Sequence, residues 1–260
     1  MSPRLLFPHV DHMLVLIVMA LTSIGFVMMS SASMDYAALK HGSAFYYSTR
    51  QLFFIVLAAM IAMAAFSVPT KLWNQYDWLC LLAAIVLLVL VLIPGVGREV
   101  NGSMRWIPIG PINLQSSEPA KVLMLIYMAG YLVRRQDEVR EKWSGFLKPA
   151  AVIFIVTVLL IKEPDFGATV VLVFSCVGMI FMAGLGIQQV VVLVGSAVLG
   201  IVVMALSSAY RLQRLSCFAD PWAYAYDCGY QLTQALIAFG RGEFFGLGLG
   251  NSIQKLFYLP

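Results

Sequence analysis

Apolar residues in this chain come in long runs separated by short polar stretches. The runs fall at Met13 to Ala32, Gln51 to Ser67, Trp78 to Pro94, Glu118 to Val133, Pro149 to Ile161, Phe166 to Leu185 and Gln188 to Ser208. Several reach or approach the ~20 residues that a membrane-spanning helix needs. The pattern predicts an all-α fold, a polytopic transmembrane helical bundle with about seven spans. A polar loop, Ser33 to Arg50, holds Tyr46 and Tyr47, a pair suited to a membrane interface. Pro69 and Lys71 open a short turn that ends near Asp77. The fifth run is short and meets the sixth at Lys162-Glu163-Pro164-Asp165. That charged hairpin has two readings: a turn lying below the bilayer surface, or an ordinary outer turn in which Asp165 caps the next helix. The seventh run is rich in valine and suits lipid.

From Ala209 to Pro260 no convincing span follows, and this segment reads as a long extracytoplasmic loop. Within it Leu232, Ala235, Leu236 and Phe239 make a helical stripe from Tyr230 to Phe239, closed by Gly240. That stripe predicts an amphipathic helix at the outer interface. The glycine-rich Gly246 to Ser252 lacks the Gly-Lys-Ser/Thr of a phosphate loop and follows no predicted strand, so it is rejected as a nucleotide motif. No repeat, low-complexity segment or linker divides the chain, which reads as a single transmembrane domain over 1–260.

Composition sharpens this picture. A 260-residue chain with 61% hydrophobic and 12% charged residues is not a soluble domain, and a net charge of +4 without a basic stripe gives no footprint for nucleic acid. The first apolar run is too long for a signal-peptide core and more spans follow it, which predicts a retained first helix. The strongest charge cluster includes Arg134, Arg135, Arg140, Lys142 and Lys148. By the positive-inside rule its loop is cytoplasmic, which puts the N-terminus inside and the stretch 101–121 outside. Of four cysteines, Cys80 and Cys176 fall within apolar runs as packing residues. Cys217 and Cys228 share the long loop, where they either pair, if it faces an oxidising compartment, or stay free. No Cys/His spacing suggests zinc.

Candidate chemistry concentrates in NGSMRWIPIGPINLQSSEPAK, residues 101–121. Arg105, Trp106, Gln115, Glu118 and Lys121 converge there between two apolar runs. An ammonium in the first turn of a membrane helix must snorkel, pair or face a wet cavity. Lys121 therefore either lines a polar site or pairs with Glu118 at i, i+3. Arg105 can grip a phosphate with its planar fork, while Lys121 offers a point charge. Gln231, Gln234 and Arg241 add polar groups from the long loop. These residues suit a phosphate-bearing lipid or amphipathic anion at the outer leaflet. Two classes of function fit: an enzyme acting on a lipid-linked substrate, or a transporter or flippase. A flippase needs a polar track through several helices, and the sixth and seventh runs are almost bare of charge, which favours the enzyme.

The same stretch strongly resembles the SEDS family, the FtsW and RodA proteins of bacterial division and elongation, whose pattern is close to NGxxRWIxxGxxxxQPSExxK. Three further blocks agree: YLVRRQDEVR…GFLKP, EPDFGATVVL against the usual QPDLGT, and GYQLTQALIAFGRGEFFGLGLGNSIQKLFYLP. The resemblance covers essentially the whole chain and looks more like FtsW than RodA. It implies a peptidoglycan glycosyltransferase of the cytoplasmic (inner) membrane at the division septum, built from about ten spans. Such a protein polymerises lipid II outside the membrane while undecaprenyl pyrophosphate leaves. The usual partner is a class B penicillin-binding protein, a transpeptidase, among other divisome membrane proteins. A carboxylate is the implied general base. Arginine, lysine and a divalent cation (Mg or Mn) are the implied partners of the diphosphate charge. Carried over by position, Arg105 and Lys121 match cavity-lining residues, and Trp106, Gln115 and Glu118 match the surrounding motif. Tyr230 and Gln231 open the outer-loop block. An earlier reading of the family as a lipid II flippase stands as the alternative, with a non-catalytic division scaffold beside it.

Departures from the pattern accompany the match. The family continues after YLP with an E-A-H-T-D-F-type segment that carries the proposed base, so the catalytic residue is expected beyond Pro260. The 260-residue chain is expected to be inactive by itself. Tyr224-Ala225 stands where the family has Asp-Pro. Ser116 replaces a frequent proline and Glu163 a frequent glutamine, changes that read as lineage variation or mild decay.

Overall fold

The computed structural model describes residues 11–251, apart from 101–102, 111, 142, 185, 207–208 and 249. It is a helical bundle, as the apolar pattern predicts. Eleven helices among the described residues run α1 His12–His41, α2 Tyr46–Ser67, α3 Thr70–Gln75, α4 Asp77–Leu92, α5 Ser117–Arg134, α6 Gln136–Glu141, α7 Trp143–Lys162, α8 Phe166–Met182, α9 Ile187–Leu206, α10 Ala209–Ala219 and α11 Tyr230–Gly242. The helices fall into two compact units. One contains α3 to α9, and the other contains α1, α2, α10 and α11.

In the first unit the core is built from stripes at a four-residue spacing. Ala84 and Leu88 of α4, Ala120, Met124 and Met128 of α5, and Ala168, Leu172, Cys176 and Ile180 of α8 are all buried. Residues four apart stack on one face of a helix, so each stripe forms a ridge against its neighbours. Ile153, Val156 and Leu160 of α7 complete the cluster. The opposite faces carry large apolar side chains such as Phe154, Phe174 and Val171 outward, the arrangement expected where lipid is the solvent.

An expectation of helices alone missed a small sheet between α4 and α5. Strands β1 Arg98–Val100, β2 Ser103–Ile109 and β3 Ile112–Gln115 pair antiparallel in the order β1-β2-β3. Trp106 lies opposite Gln115 on one side and opposite Arg98 on the other. Gly110, at φ 60°, supplies the left-handed residue where β2 turns back into β3. The ladder runs one step past the last strand: Ser116 N–H donates to the Arg105 carbonyl at 3.1 Å. The sheet thus delivers Ser116 and Ser117 to the start of α5 at a fixed register.

Several boundaries differ from the sequence reading. The polar loop at 33–50 shrinks to four residues, because α1 continues to His41 and stops only at Gly42, whose φ of 71° lets its N–H cap the Ala38 carbonyl. The short turn after Pro69 is the helix α3. The fifth helix is not short: α7 begins at Trp143 and carries Pro149 in its second turn, so it has 20 residues. Proline ends the run as read from sequence, but the Gly145 carbonyl that Pro149 cannot bond accepts from the Tyr131 hydroxyl at 3.2 Å. α10 was not anticipated, since its mixed polar composition hides it among loop residues. By length and apolar composition, α1 and α2 each suffice to cross a membrane, and α4 and α8 are shorter apolar helices.

In the second unit, His41 stacks on Tyr46 with ring centroids 3.9 Å apart, and its Nε2 lies 3.1 Å from the Tyr47 hydroxyl. Cys217, at the end of α10, is disulfide-bonded to Cys228, just before α11. Of the two alternatives for these cysteines the structure takes the bonded one.

Candidate functional site

At one end of the first unit, three segments meet: β2 of the sheet, the β3–α5 junction, and the α7–α8 turn. The turn contributes two acids. Asp165 is buried and caps α8, accepting from Ala168 N–H through Oδ1 at 3.1 Å. Its Oδ2 accepts from Gln115 Nε2 at 3.0 Å and from Ser117 Oγ at 2.9 Å. Arg105 Nη1 lies 3.8 Å from Oδ1, and Arg105 Nη2 donates to Ser103 Oγ at 2.8 Å. Glu163 is fully buried and its Oε2 accepts from Ser116 Oγ at 2.8 Å. Burial removes water from this carboxyl and pushes its pKa up to about 7, against the opposing pull of the Ser116 bond. Asp165 adds to the rise and Arg105 works against it.

Of the two readings of the charged hairpin, the structure supports the cap: Asp165 closes α8. Its wider role was missed. Arg105 and Gln115, both predicted from the motif, are held by Asp165, which the sequence reading names only as a helix cap. A tight charged turn between two apolar runs was the signal. Four charged or conformationally special residues in a row need partners when the flanking helices are buried.

The other predicted residues are placed as follows. Lys121 Nζ donates to Glu118 Oε1 at 3.0 Å, the i, i+3 pair that was one of its two readings. Glu118 is exposed, whereas Lys121 is largely covered. Trp106 is half-buried in the sheet. Tyr230 and Gln231 begin α11 in the other unit, the tyrosine half-buried and the glutamine exposed. Arg105 and Lys121 therefore each have a carboxylate beside them: Asp165 for Arg105, Glu118 for Lys121.

The described residues bring together no group of three His, Cys, Asp or Glu side chains. Both oxygens of Asp165 are hydrogen-bonded, and Arg105 sits beside it.

At the opposite end of the unit the basic cluster has defined partners. Arg134 Nη2 pairs with buried Asp77 Oδ2 at 2.7 Å and Arg134 Nη1 donates to the Asn74 carbonyl. Arg135 pairs with Glu138, and Arg140 Nε donates to the Ala183 carbonyl at 3.0 Å, where α8 ends. A cation at a helix C-terminus meets unsatisfied carbonyls and the negative end of the dipole. The cluster that suggested orientation also closes the ends of the helices.

A helical membrane bundle with a charged cluster under a sheet-capped end is the class of protein these features define. The chain matches the family model of the FtsW, RodA and SpoVE cell cycle proteins over residues 11–260, and it belongs to that family. It is 51% identical over 242 residues to a probable peptidoglycan glycosyltransferase FtsW of Hahella chejuensis, covering 93% of this chain and 61% of that protein. To the protein of the same name from Saccharophagus degradans it is 46% identical over 254 residues, covering 98% and 66%. The chain thus spans about three fifths to two thirds of these curated relatives. Among solved structures it resembles a chain from work on the structural coordination of polymerization and crosslinking by a peptidoglycan synthase complex. There the TM-score is 0.71 at 28% identity, over 91% of this chain and 67% of that one. It also resembles a point mutant of the rod shape determining protein RodA of Thermus thermophilus, with a TM-score of 0.62 at 27% identity, over 77% and 60%. By its relatives' names this is a family of enzymes of peptidoglycan synthesis.

Proposed function

We propose that this chain provides the anion-binding end of a peptidoglycan glycosyltransferase that polymerises lipid II at the outer face of the cytoplasmic membrane during division. The observation that carries the reading is the placement of Arg105. Its side chain is a third exposed, with Nη2 held by Ser103, Nη1 beside Asp165 and Nε buried, in a cluster whose acids and serines are buried. In the reaction the 4-hydroxyl of one sugar attacks the anomeric carbon of another, and undecaprenyl pyrophosphate leaves. Positive groups aimed at that diphosphate stabilise the charge as it develops. Arg105 supplies a forked contact and Lys121 a point charge released from Glu118. Gln115 is held in line by Asp165 and Trp106 packs the sheet beside it, while Tyr230 and Gln231 of α11 are assigned to substrate binding on the sequence resemblance alone. No residue is assigned as the general base.

On this reading the sheet faces outward and the Arg134–Arg140 cluster faces the cytoplasm, by the positive-inside rule. The Cys217–Cys228 bond supports the outward placement of α10 and α11, since disulfides persist in oxidising compartments. The septum is the assigned location. A class B penicillin-binding protein transpeptidase is the partner this reading assigns, supported by the likeness to a chain of a synthase complex that couples polymerization to crosslinking. The flippase alternative is disfavoured by α8 and α9, which carry no charged side chain along their lengths.

The test is glycan-strand formation from lipid II by the reconstituted protein carrying this chain, with its transpeptidase partner present. Arg105→Ala and Lys121→Ala are each expected to lower output about ten-fold or more while membrane insertion stays intact. Unchanged output from both variants would remove the anion site from the mechanism and return Lys121 to a snorkelling partner of Glu118.

A further inference from the structure

The two acids of the α7–α8 turn differ in how fully they are engaged. Asp165 has a donor at each oxygen, whereas Glu163 accepts only from Ser116 through Oε2. Glu163 Oε1 is buried without a hydrogen-bond partner among the described residues, and so is Arg105 Nε in the same cluster. The charged groups that act on Glu163 are Asp165 from its own turn and Arg105 from β2, and from the β3–α5 junction it meets the Ser116 hydroxyl.

This arrangement has two charge states. When Glu163 is ionised, the single positive charge of Arg105 is set against two carboxylates. When Glu163 is protonated, Arg105 answers to Asp165 alone and keeps more of its field for a third, external anion. An anion arriving at Arg105 in turn makes a second carboxylate charge harder to hold. Binding of the anion and of the proton therefore favour each other, as linkage requires.

We propose that Glu163 is a positioning residue of the Arg105 anion site, acting through Arg105, and that it takes up a proton when a lipid-linked diphosphate binds and gives it back when the anion leaves. The proposal rests on the anion-site reading above and adds its proton linkage. Burial puts the titration of this carboxyl at about 7, so both states are reached in mild buffers. A purely structural buried acid would give stability effects with pH but no slope in anion affinity.

The probe is lipid II itself. Each of its two phosphates is esterified, so its diphosphate does not titrate near neutral pH and any slope belongs to the protein. Its dissociation constant is measured from pH 5.5 to 8.5 with the chain in nanodiscs, for the wild type, Glu163→Gln and Arg105→Ala. The wild type is expected to lose affinity about five-fold from pH 6 to 8, the part of a one-unit pKa coupling that falls in this window. Glu163→Gln is neutral, nearly the same shape and still able to accept from Ser116. It should bind at pH 8 as the wild type does at pH 6, with no slope. Arg105→Ala should bind weakly at every pH. A flat wild-type profile, or equal slopes in the wild type and Glu163→Gln, overturns the proton linkage while a weak Arg105→Ala keeps the site. Wild-type affinity in Arg105→Ala overturns the site reading itself. Should Glu163→Gln fold poorly, Ser116→Ala serves in its place. Loss of the hydroxyl that favours the ionised acid should move the midpoint of the slope to higher pH, and an unmoved midpoint counts against the proposal.

Discussion

Ser116 and Glu163 are joined by a 2.8 Å hydrogen bond from the serine hydroxyl to Oε2, and both side chains are fully buried. They are also two positions at which the chain departs from the motifs it otherwise resembles, with serine in place of a frequent proline and glutamic acid in place of a frequent glutamine. A proline at 116 would have neither the hydroxyl for Glu163 nor the N–H that Ser116 donates to the Arg105 carbonyl. The departures therefore meet in space and answer one another. That is a physical reason to read them as a matched pair and not as decay.

The pair makes stability depend on pH in a definable way. The folded state raises Glu163 from an ordinary 4.5 to about 7, so the folded protein binds the proton more tightly than the unfolded chain. Its contribution is fully present below 4.5 and is lost as pH rises through 7. The shift corresponds to roughly 3 kcal/mol at most. Glu163→Gln cannot ionise, so it should melt well above the wild type at pH 8 and close to it at pH 4.5. Thermal unfolding in detergent at the two pH values checks this, and an equal gap at both would show that ionisation is not the cause.

Asp165 should matter through its acceptors more than through its charge. Asp165→Ala removes the α8 cap and leaves Gln115 and Ser117 without their acceptor, a loss of about 3 kcal/mol or more. Asp165→Asn keeps a cap oxygen and should lose about half as much. Hydrogen exchange at the first turns of α5 and α8 distinguishes these outcomes. Equal protection in Asp165→Ala and the wild type would mean that the turn does not fasten the two helices together.

How much of this was legible is clear from particular residues. The helix stripes were, because Met124 and Met128 or Leu172 and Cys176 recur at a spacing that only a helix puts on one face. Arg105, Gln115 and the Lys121–Glu118 pair were visible as rare polar groups between apolar runs. The sheet was not read, although Asn101-Gly102 and Gly110-Pro111 bracket a stretch rich in Ile and Trp, a strong hairpin signal. The fifth helix was cut short at Pro149 because proline reads as a stop when its distance from the helix start is unknown. Asp165 and Glu163 were hidden for another reason. Their partners Gln115, Ser117 and Ser116 lie about fifty residues away, and no local pattern reports a contact across that distance.

Gly130 of α5 is where the helix makes room for the Asp77–Arg134 pair. A β-carbon built there would lie 2.2 Å from Asp77 Oδ2, against side-chain atoms that are themselves locked in the pair. Helix propensity alone favours alanine over glycine by about 1 kcal/mol. The clash reverses that sign, and Gly130→Ala should destabilise by about 1–2 kcal/mol, as overpacking against the buried Asp77 carboxylate does. Gly178 in α8 has nothing within 4 Å of the same built atom, so Gly178→Ala should be neutral or mildly stabilising. Melting temperatures of the two variants are the check. Matching shifts in both would mean that the glycine effect is generic and the Asp77–Arg134 pair is not involved.

The Cys217–Cys228 bond ties the end of α10 to the chain just before α11, a sequence separation of 11, around a turn in which Asp227 N–H and, just past the bond, Gly229 N–H donate to the Tyr224 carbonyl. Thr233 of α11 donates back to the Pro221 carbonyl at 3.0 Å, so the disulfide and this bond brace the same segment. Closing a loop of this length restricts the unfolded chain by about 3 kcal/mol. Replacing both cysteines with serine, or adding reductant, should therefore raise hydrogen exchange in α10 and α11. The core of α5, α7 and α8 belongs to the other compact unit and should keep its protection. The same bond tests the assigned orientation. In intact cells the two thiols should resist alkylation until a reductant is added, because the outer side of the membrane is oxidising. Labelling of both without reduction would place this segment on the reducing side and invert the proposed topology, taking the assignment of Tyr230 and Gln231 to an outer-leaflet substrate with it.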